Sequence, residues 1–233
     1  MNKNVLIKSV DRQSGSSHAF VYETQCLLDG CYILKNLQIA NTIYNINSDN
    51  NTFILNDGTD KNITISIGNY TVNSLKTAVE DELNLISAGT ITFTVTFSST
   101  TGKFTIVGTS NFTLIFPDAN TASTYGFTDL SVTGTTITAD KIVNLSYPSS
   151  IGVDITESNV DNYENGSTLS SGSIYVPLNE SFGFYKTLDD NNFPQYLNFK
   201  NCRYLNISVI NTSNNKSIDL NGSDFELLLS KMT

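Results

Sequence analysis

One histidine, His18, stands in the run SGSSH. It is the side chain with which a nearby serine could share a proton near neutral pH. The run lacks the G-x-S-x-G elbow that lifts a nucleophilic serine out of a strand-to-helix turn. His18 opens a β-like stretch, so its expected role is structural. Carboxylates occur together as Asp57 with Asp60, Asp189 with Asp190, and the run Glu80-Asp81-Glu82. Glycoside hydrolysis needs two carboxyl groups about 5–10 Å apart across a cleft. Adjacent acids in turns read instead as solvated, and the Glu80–Glu82 run reads as the wet face of a helix. Asp57-Gly58-Thr59-Asp60 offers oxygens to calcium but lacks the full ligand spacing, and turn chemistry accounts for it. Cys26, Cys31 and Cys202 are odd in number and form no C-x-x-C, so neither a disulfide framework nor zinc is expected. No Gly-rich phosphate loop follows a strand. The expectation is a chain with no catalytic residue, no cofactor and no metal ligand. One binding chemistry stays open, a platform of exposed tyrosines stacking on sugars.

The elements that would position these residues are mostly strands. Ile91, Phe93, Val95 and Phe97 alternate with threonines, as a half-buried strand does, and Lys103–Val107 returns from a turn at 98–102. Before it, Val72, Leu75, Val79, Leu83 and Ile86 recur at helical spacing. Thr71 is the expected N-cap and Gly89 the expected stop. Strands are expected at 4–9, 19–28 and 32–40, with Asp29-Gly30 as a tight turn flanked by Cys26 and Cys31. Further short strands fall at 43–46, 53–55 and 63–67, and at 112–116 before Pro117. One helical turn falls at 121–125, and one or two strands at 137–147. Residues 154–173 read as a surface loop. Strands follow at 174–176, 182–188, 196–199, 203–210, 217–220 and 225–229. Strands of four to nine residues at intervals near ten, with turn residues between them, give an all-β sandwich or barrel. The helix and hairpin interrupt that rhythm. The organisation expected is a β-sandwich of residues 1–56 and 136–233 with an inserted helix-plus-hairpin subdomain at 57–135.

Totals narrow the function classes. The chain has 233 residues, 39% hydrophobic and 15% charged, with a net charge of −9. That length buries a sizeable core. That charge argues against broad contact with nucleic-acid phosphates and against docking on anionic lipid. MNKNVLIKSVDRQ holds no apolar run of signal-peptide length, and no stretch reaches the roughly 18 apolar residues of a membrane span. Synthesis in a cytosol-like compartment is therefore expected. Triplets such as Asn62-Ile63-Thr64, Asn69-Tyr70-Thr71 and Asn221-Gly222-Ser223 then reflect richness in Asn, Ser and Thr.

Three stretches, in order, carry a resemblance. The first is SVDRQSGSSHAFVYE, with Asp11, Arg12, Ser14, Gly15, Ser17 and Phe20. The second is GNYTVNSLKTAVEDELN followed by FTVTFSSTTGKFTI and then YGF at 125–127. The third is SIDLNGSDFELLL, with Leu220-Asn221-Gly222 and Phe225. Together they resemble the penton, or minor capsid, proteins of virophages, polinton-like viruses and related DNA viruses with double-jelly-roll major capsid proteins. The resemblance implies a single jelly roll of eight strands in two facing sheets. It implies a homopentamer that plugs the five-fold vertices of an icosahedral virion. The implied partners are further copies of the chain, the double-jelly-roll major capsid protein and other minor capsid proteins, with no nucleic acid. A host-surface receptor or glycan is an added expectation, and a glycan-binding module of a virion or surface protein is the alternative reading.

Overall fold

In the computed structural model, residues 4–146, 148–158, 170–189 and 194–232 are described. The chain forms two compact units, one of Met1–Ile43 and Pro148–Thr233 and one of Tyr44–Tyr147. The first unit opens with β1 (Asn4–Lys8), a 3-10 turn (Ser9–Asp11), β2 (Ser14–Gly15) and β3 (Ala19–Ala40). The second holds β4 (Thr52–Asn56), β5 (Asp60–Thr64), α1 (Val72–Ser87), β6 (Phe93–Ser98), β7 (Lys103–Ile115), α2 (Ala119–Thr124) and β8 (Ser131–Thr138). The chain then returns to the first unit with β9 (Ser150–Ser158), β10 (Ser170–Pro177), β11 (Tyr185–Asp189), β12 (Tyr196–Asn211) and β13 (Phe225–Lys231).

The first unit is a curled antiparallel sheet closed as a β-sandwich, the all-β class the strand rhythm leads one to expect. Its strand order is β1-β13-β3-β12-β9-β10, with β2 and β11 also paired to β3. The inward residues of β1, β3 and β9–β13 make one core that includes Ile7, Phe20, Tyr32, Leu37, Val153, Ile174, Leu205 and Leu229. Asp29-Gly30 is not the turn expected between two strands. β3 runs through it without a break. Gly30 has φ +94 and faces Phe199, while Asn201 on β12 has φ +49 where the pairing register shifts. Left-handed residues on two paired strands bend both at one place instead of reversing either. β12 joins the expected strands 196–199 and 203–210 in the same way. The loop expected at 154–173 is also corrected. β9 reaches Ser158 and β10 starts at Ser170, because Val153 and Ile155 point inward between polar residues that face out. Residues 159–169, and 190–193 in the DDNN turn, fall outside the described set.

In the second unit, β6 pairs with the first half of β7, β4 with its end, and β8 lies along the other side. The helix starts where expected. Thr71 accepts the Ser74 N–H, and the Ser74 hydroxyl accepts the Thr71 N–H, a reciprocal cap. Its stop is one residue early: Ala88, with φ +52, takes the left-handed cap position ahead of Gly89. Leu75, Val79 and Leu83 enter a core with Phe93, Phe104, Phe112 and Phe127. Four expectations shift. Only an isolated bridge, Ile46 to Gly68, forms at 43–46. β5 ends at Thr64, leaving Ile67 exposed. β7 joins the expected strands 103–107 and 112–116. The strand expected at 137–147 lies at 131–138 instead. Residues beyond it are held by single bonds, Ala139 N–H to Phe104 and Val143 N–H to Gly102.

Candidate functional site

Two of the three quoted stretches meet in the first unit. The turn after β1 buries Ser9 completely. Its hydroxyl donates to Asp224 Oδ1 at 2.7 Å and accepts the Phe225 N–H at 2.9 Å. Arg12 adds a charge to the same carboxylate. Its Nη1 lies 3.3 Å from Asp224 Oδ1 and donates to the Ser9 carbonyl at 2.8 Å, and its Nε donates to the Gly15 carbonyl at 3.2 Å. Gly15 has φ +98, and a Cβ there would sit 2.2 Å from the Ala19 carbonyl oxygen. Only glycine fits this approach. It lets β2 pair with Val21 and Phe20, and Phe20 packs on Phe225 with ring centroids 5.7 Å apart.

A second set of polar contacts lies beside it in the sequence. His18 Nδ1 is 3.3 Å from Asp219 Oδ1, the oxygen that also accepts the Asn221 N–H at 2.8 Å. Asn221 and Gly222 both have positive φ and form the turn into β13. Asn221 Nδ2 donates to the Thr42 carbonyl at 2.5 Å, and Thr42 returns its hydroxyl to the Leu220 carbonyl at 2.6 Å. The two ends of the chain are thus tied by side chains as well as by the β1–β13 ladder.

The polar groups of this cluster are bonded to one another and to the backbone. Ser9 donates its proton to a carboxylate that Arg12 also neutralises. His18 faces Asp219. Ser16, in the SGSSH run, accepts the Ala19 N–H. The other candidates are dispersed. Asp57 is nearly inaccessible and pairs with Lys61 Nζ at 2.7 Å, while Asp60 accepts from Asn56 at 2.6 Å. Asp189 lies on β11 opposite Asn36, and Asp190 lies outside the described residues. Cys26 and Cys31 are half-buried. Cys31 Sγ lies 3.7 Å from Met232 Sδ. Cys202 is buried, and desolvation, with Glu157 adding repulsion, pushes its thiol up to about 12. Among the described residues no three His, Cys, Asp or Glu side chains gather to hold a metal, and no helix is long and apolar enough to cross a membrane.

The sequence reading puts Glu80 on the wet face of the helix and gives Asn84 no role. Both instead grip the edge of β6. Asn84 accepts the Phe93 N–H at 2.8 Å and donates to the Phe93 carbonyl at 3.0 Å, as a paired strand would. Glu80 accepts the Val95 N–H at 2.7 Å. The signal was their i, i+4 spacing, which puts both on one side of α1. Ser9 and Asp224 left no local signal.

No family model matches the chain, and no curated protein matches it. Among solved structures, the chain is similar to the crystal structure of SeMet-labeled mavirus penton protein. The TM-score is 0.48 at 12% sequence identity, over 98% of this chain and 99% of that one.

Proposed function

We propose that the chain is a structural virion protein, a penton that forms a homopentamer at the five-fold vertices of an icosahedral capsid and meets a double-jelly-roll major capsid protein around it. The observation that supports this reading is where the polar residues of the two end motifs go. Ser9, Arg12, Gly15, Asn221 and Asp224 are spent on tying strands together. A vertex protein needs a rigid two-layered body more than it needs a reactive group. A five-fold ring needs a head-to-tail interface that closes on itself. Polar, Thr- and Asn-rich outer faces can form such an interface through hydrogen bonds and trapped water. Co-expression with a double-jelly-roll capsid protein tests the reading. Particles carrying this chain at their vertices are the expected product, and particles that exclude it contradict the reading.

A second reading is favoured by one surface feature. Tyr175 on β10 and Tyr196 on β12 are both more than half exposed. Gln195 joins them, its amide bonded to the Tyr175 N–H and carbonyl at 2.7 and 3.2 Å. Exposed aromatic faces flanking an amide suit a glycan ring. A glycan array tests this, with loss of signal in Tyr175→Ala expected for any hit and an array without hits against it.

A further inference from the structure

Among the described residues, three sheet edges are met by a side chain. At the β10 edge, Gln195 takes the place of a strand by bonding both backbone groups of Tyr175. On β1, the Leu6 carbonyl accepts the Tyr22 hydroxyl at 3.1 Å. On β6, Asn84 and Glu80 do the same work. β5 is short and carries Asp60 and Lys61, and such charges discourage pairing. β8 differs. It is eight residues long, has no charge and no proline, and is paired to β7 along one side. Its other side receives no hydrogen bond among the described residues.

The ladder fixes what that open side presents. Ala139 N–H bonds the Phe104 carbonyl at one end, and Phe116 N–H bonds the Leu130 carbonyl at the other. Antiparallel pairs alternate between bonded and non-bonded positions. Counting from both ends, with the register shift between Val107 and Phe112, Ser131, Thr133, Thr136 and Thr138 turn their N–H and C=O groups away from β7. Their side chains are exposed as well. The strand is also close to a palindrome about the Gly134–Thr135 bond. Ser131 mirrors Thr138, Val132 mirrors Ile137, and Thr133 mirrors Thr136. Two copies laid antiparallel about that point set every outward residue opposite an outward residue. They also keep Val132 and Ile137 together on the inner face. Threonine pairs of this kind already join β8 to β7, at Thr105–Thr138 and Thr113–Thr133. In a chain of net charge −9, the strands β6, β7 and β8 hold a single charged residue, Lys103, so two copies approach here with little repulsion.

We propose that β8 is a self-complementary edge that pairs antiparallel with β8 of a second copy, about a two-fold axis at the Gly134–Thr135 bond. This contact is isologous, so it is additional to any head-to-tail contact within a five-fold ring.

The test reads amide exchange and association together on the full chain. In dilute protein the Thr133, Thr136 and Thr138 amides exchange fast. At concentrations where sedimentation detects association they become slow, while Ile137, bonded to β7, is slow throughout. Thr136→Pro removes an outward N–H and no β7 bond, a position where an edge strand accepts proline. Because each pair loses the bond twice, association weakens by roughly tenfold or more. Three results overturn the proposal: no association at any concentration, association that leaves the Thr133 and Thr136 amides fast, or a folded Thr136→Pro chain whose Thr133 and Thr138 amides slow on association as much as those of the natural one. If the proline variant does not fold, the exchange of the natural chain decides alone.

Discussion

Ser9 and Asp224 are separated by 215 positions in the chain and by 2.7 Å in the structure. The bond is central because Ser9 also satisfies the buried Phe225 N–H at the start of β13. Ser9→Ala removes both partners at once. It should destabilise the protein by about 1–3 kcal/mol, the cost of a buried donor left unpaired. Urea denaturation measures this, and a loss under about 0.5 kcal/mol would show that the clasp is ornamental.

Gly15 and Gly58 provide a matched comparison. Both have positive φ, but a Cβ at Gly15 meets the Ala19 carbonyl at 2.2 Å, whereas nothing lies within 4 Å at Gly58. Gly58→Ala should cost about 1 kcal/mol, from backbone strain alone. Gly15→Ala should cost clearly more and lower the thermal midpoint further. Equal costs would mean that β2 can move away at no penalty.

The grip of α1 on β6 predicts a local effect. Asn84→Ala leaves the Phe93 N–H and carbonyl without their partner, for a loss of about 1–3 kcal/mol. It should also speed amide exchange at Phe93 before it affects β8. Unchanged exchange at Phe93 would argue that solvent serves that edge equally well.

Cys202 gives a pH dependence whose sign can be stated. Burial raises its thiol from 9.0 to about 12, so between those values the folded chain holds a proton that the unfolded chain has released. Stability from this group is intact below pH 9 and falls as pH rises toward 12. Buried Tyr22 and Tyr125 shift the same way and add to the loss at high pH. Denaturation midpoints from pH 8 to 11 measure the slope, and Cys202→Ala should flatten it. Thiol labelling of the folded chain should reach half-buried Cys26 and Cys31 well before Cys202.

Local patterns carried some of this architecture and missed the rest for physical reasons. The period of 3.6 from Val72 to Ile86, with Thr71 before it, defined α1, because helix and cap are written within a few residues of each other. Asp29-Gly30 misled because the same dipeptide serves a reversing hairpin and a bulge. The choice depended on Asn201, a partner far along the chain. Val153 and Ile155 were hidden among polar neighbours, since a strand solvated on one face looks like a loop when its apolar residues are few. The Ser9–Asp224 clasp was invisible for the same reason as the bend, because it depends on which distant strands become neighbours. Its residues nonetheless lay inside the stretches that carried the resemblance.

The proposed function requires that the chain assembles as a ring of five. Native mass spectrometry of the natural chain, at concentrations where the Thr133 and Thr136 amides still exchange fast, is the measurement that decides it. The account predicts a species of five times the 25.5 kDa chain mass. A chain that stays monomeric alone and beside its capsid partner, or one that closes at another number, contradicts it.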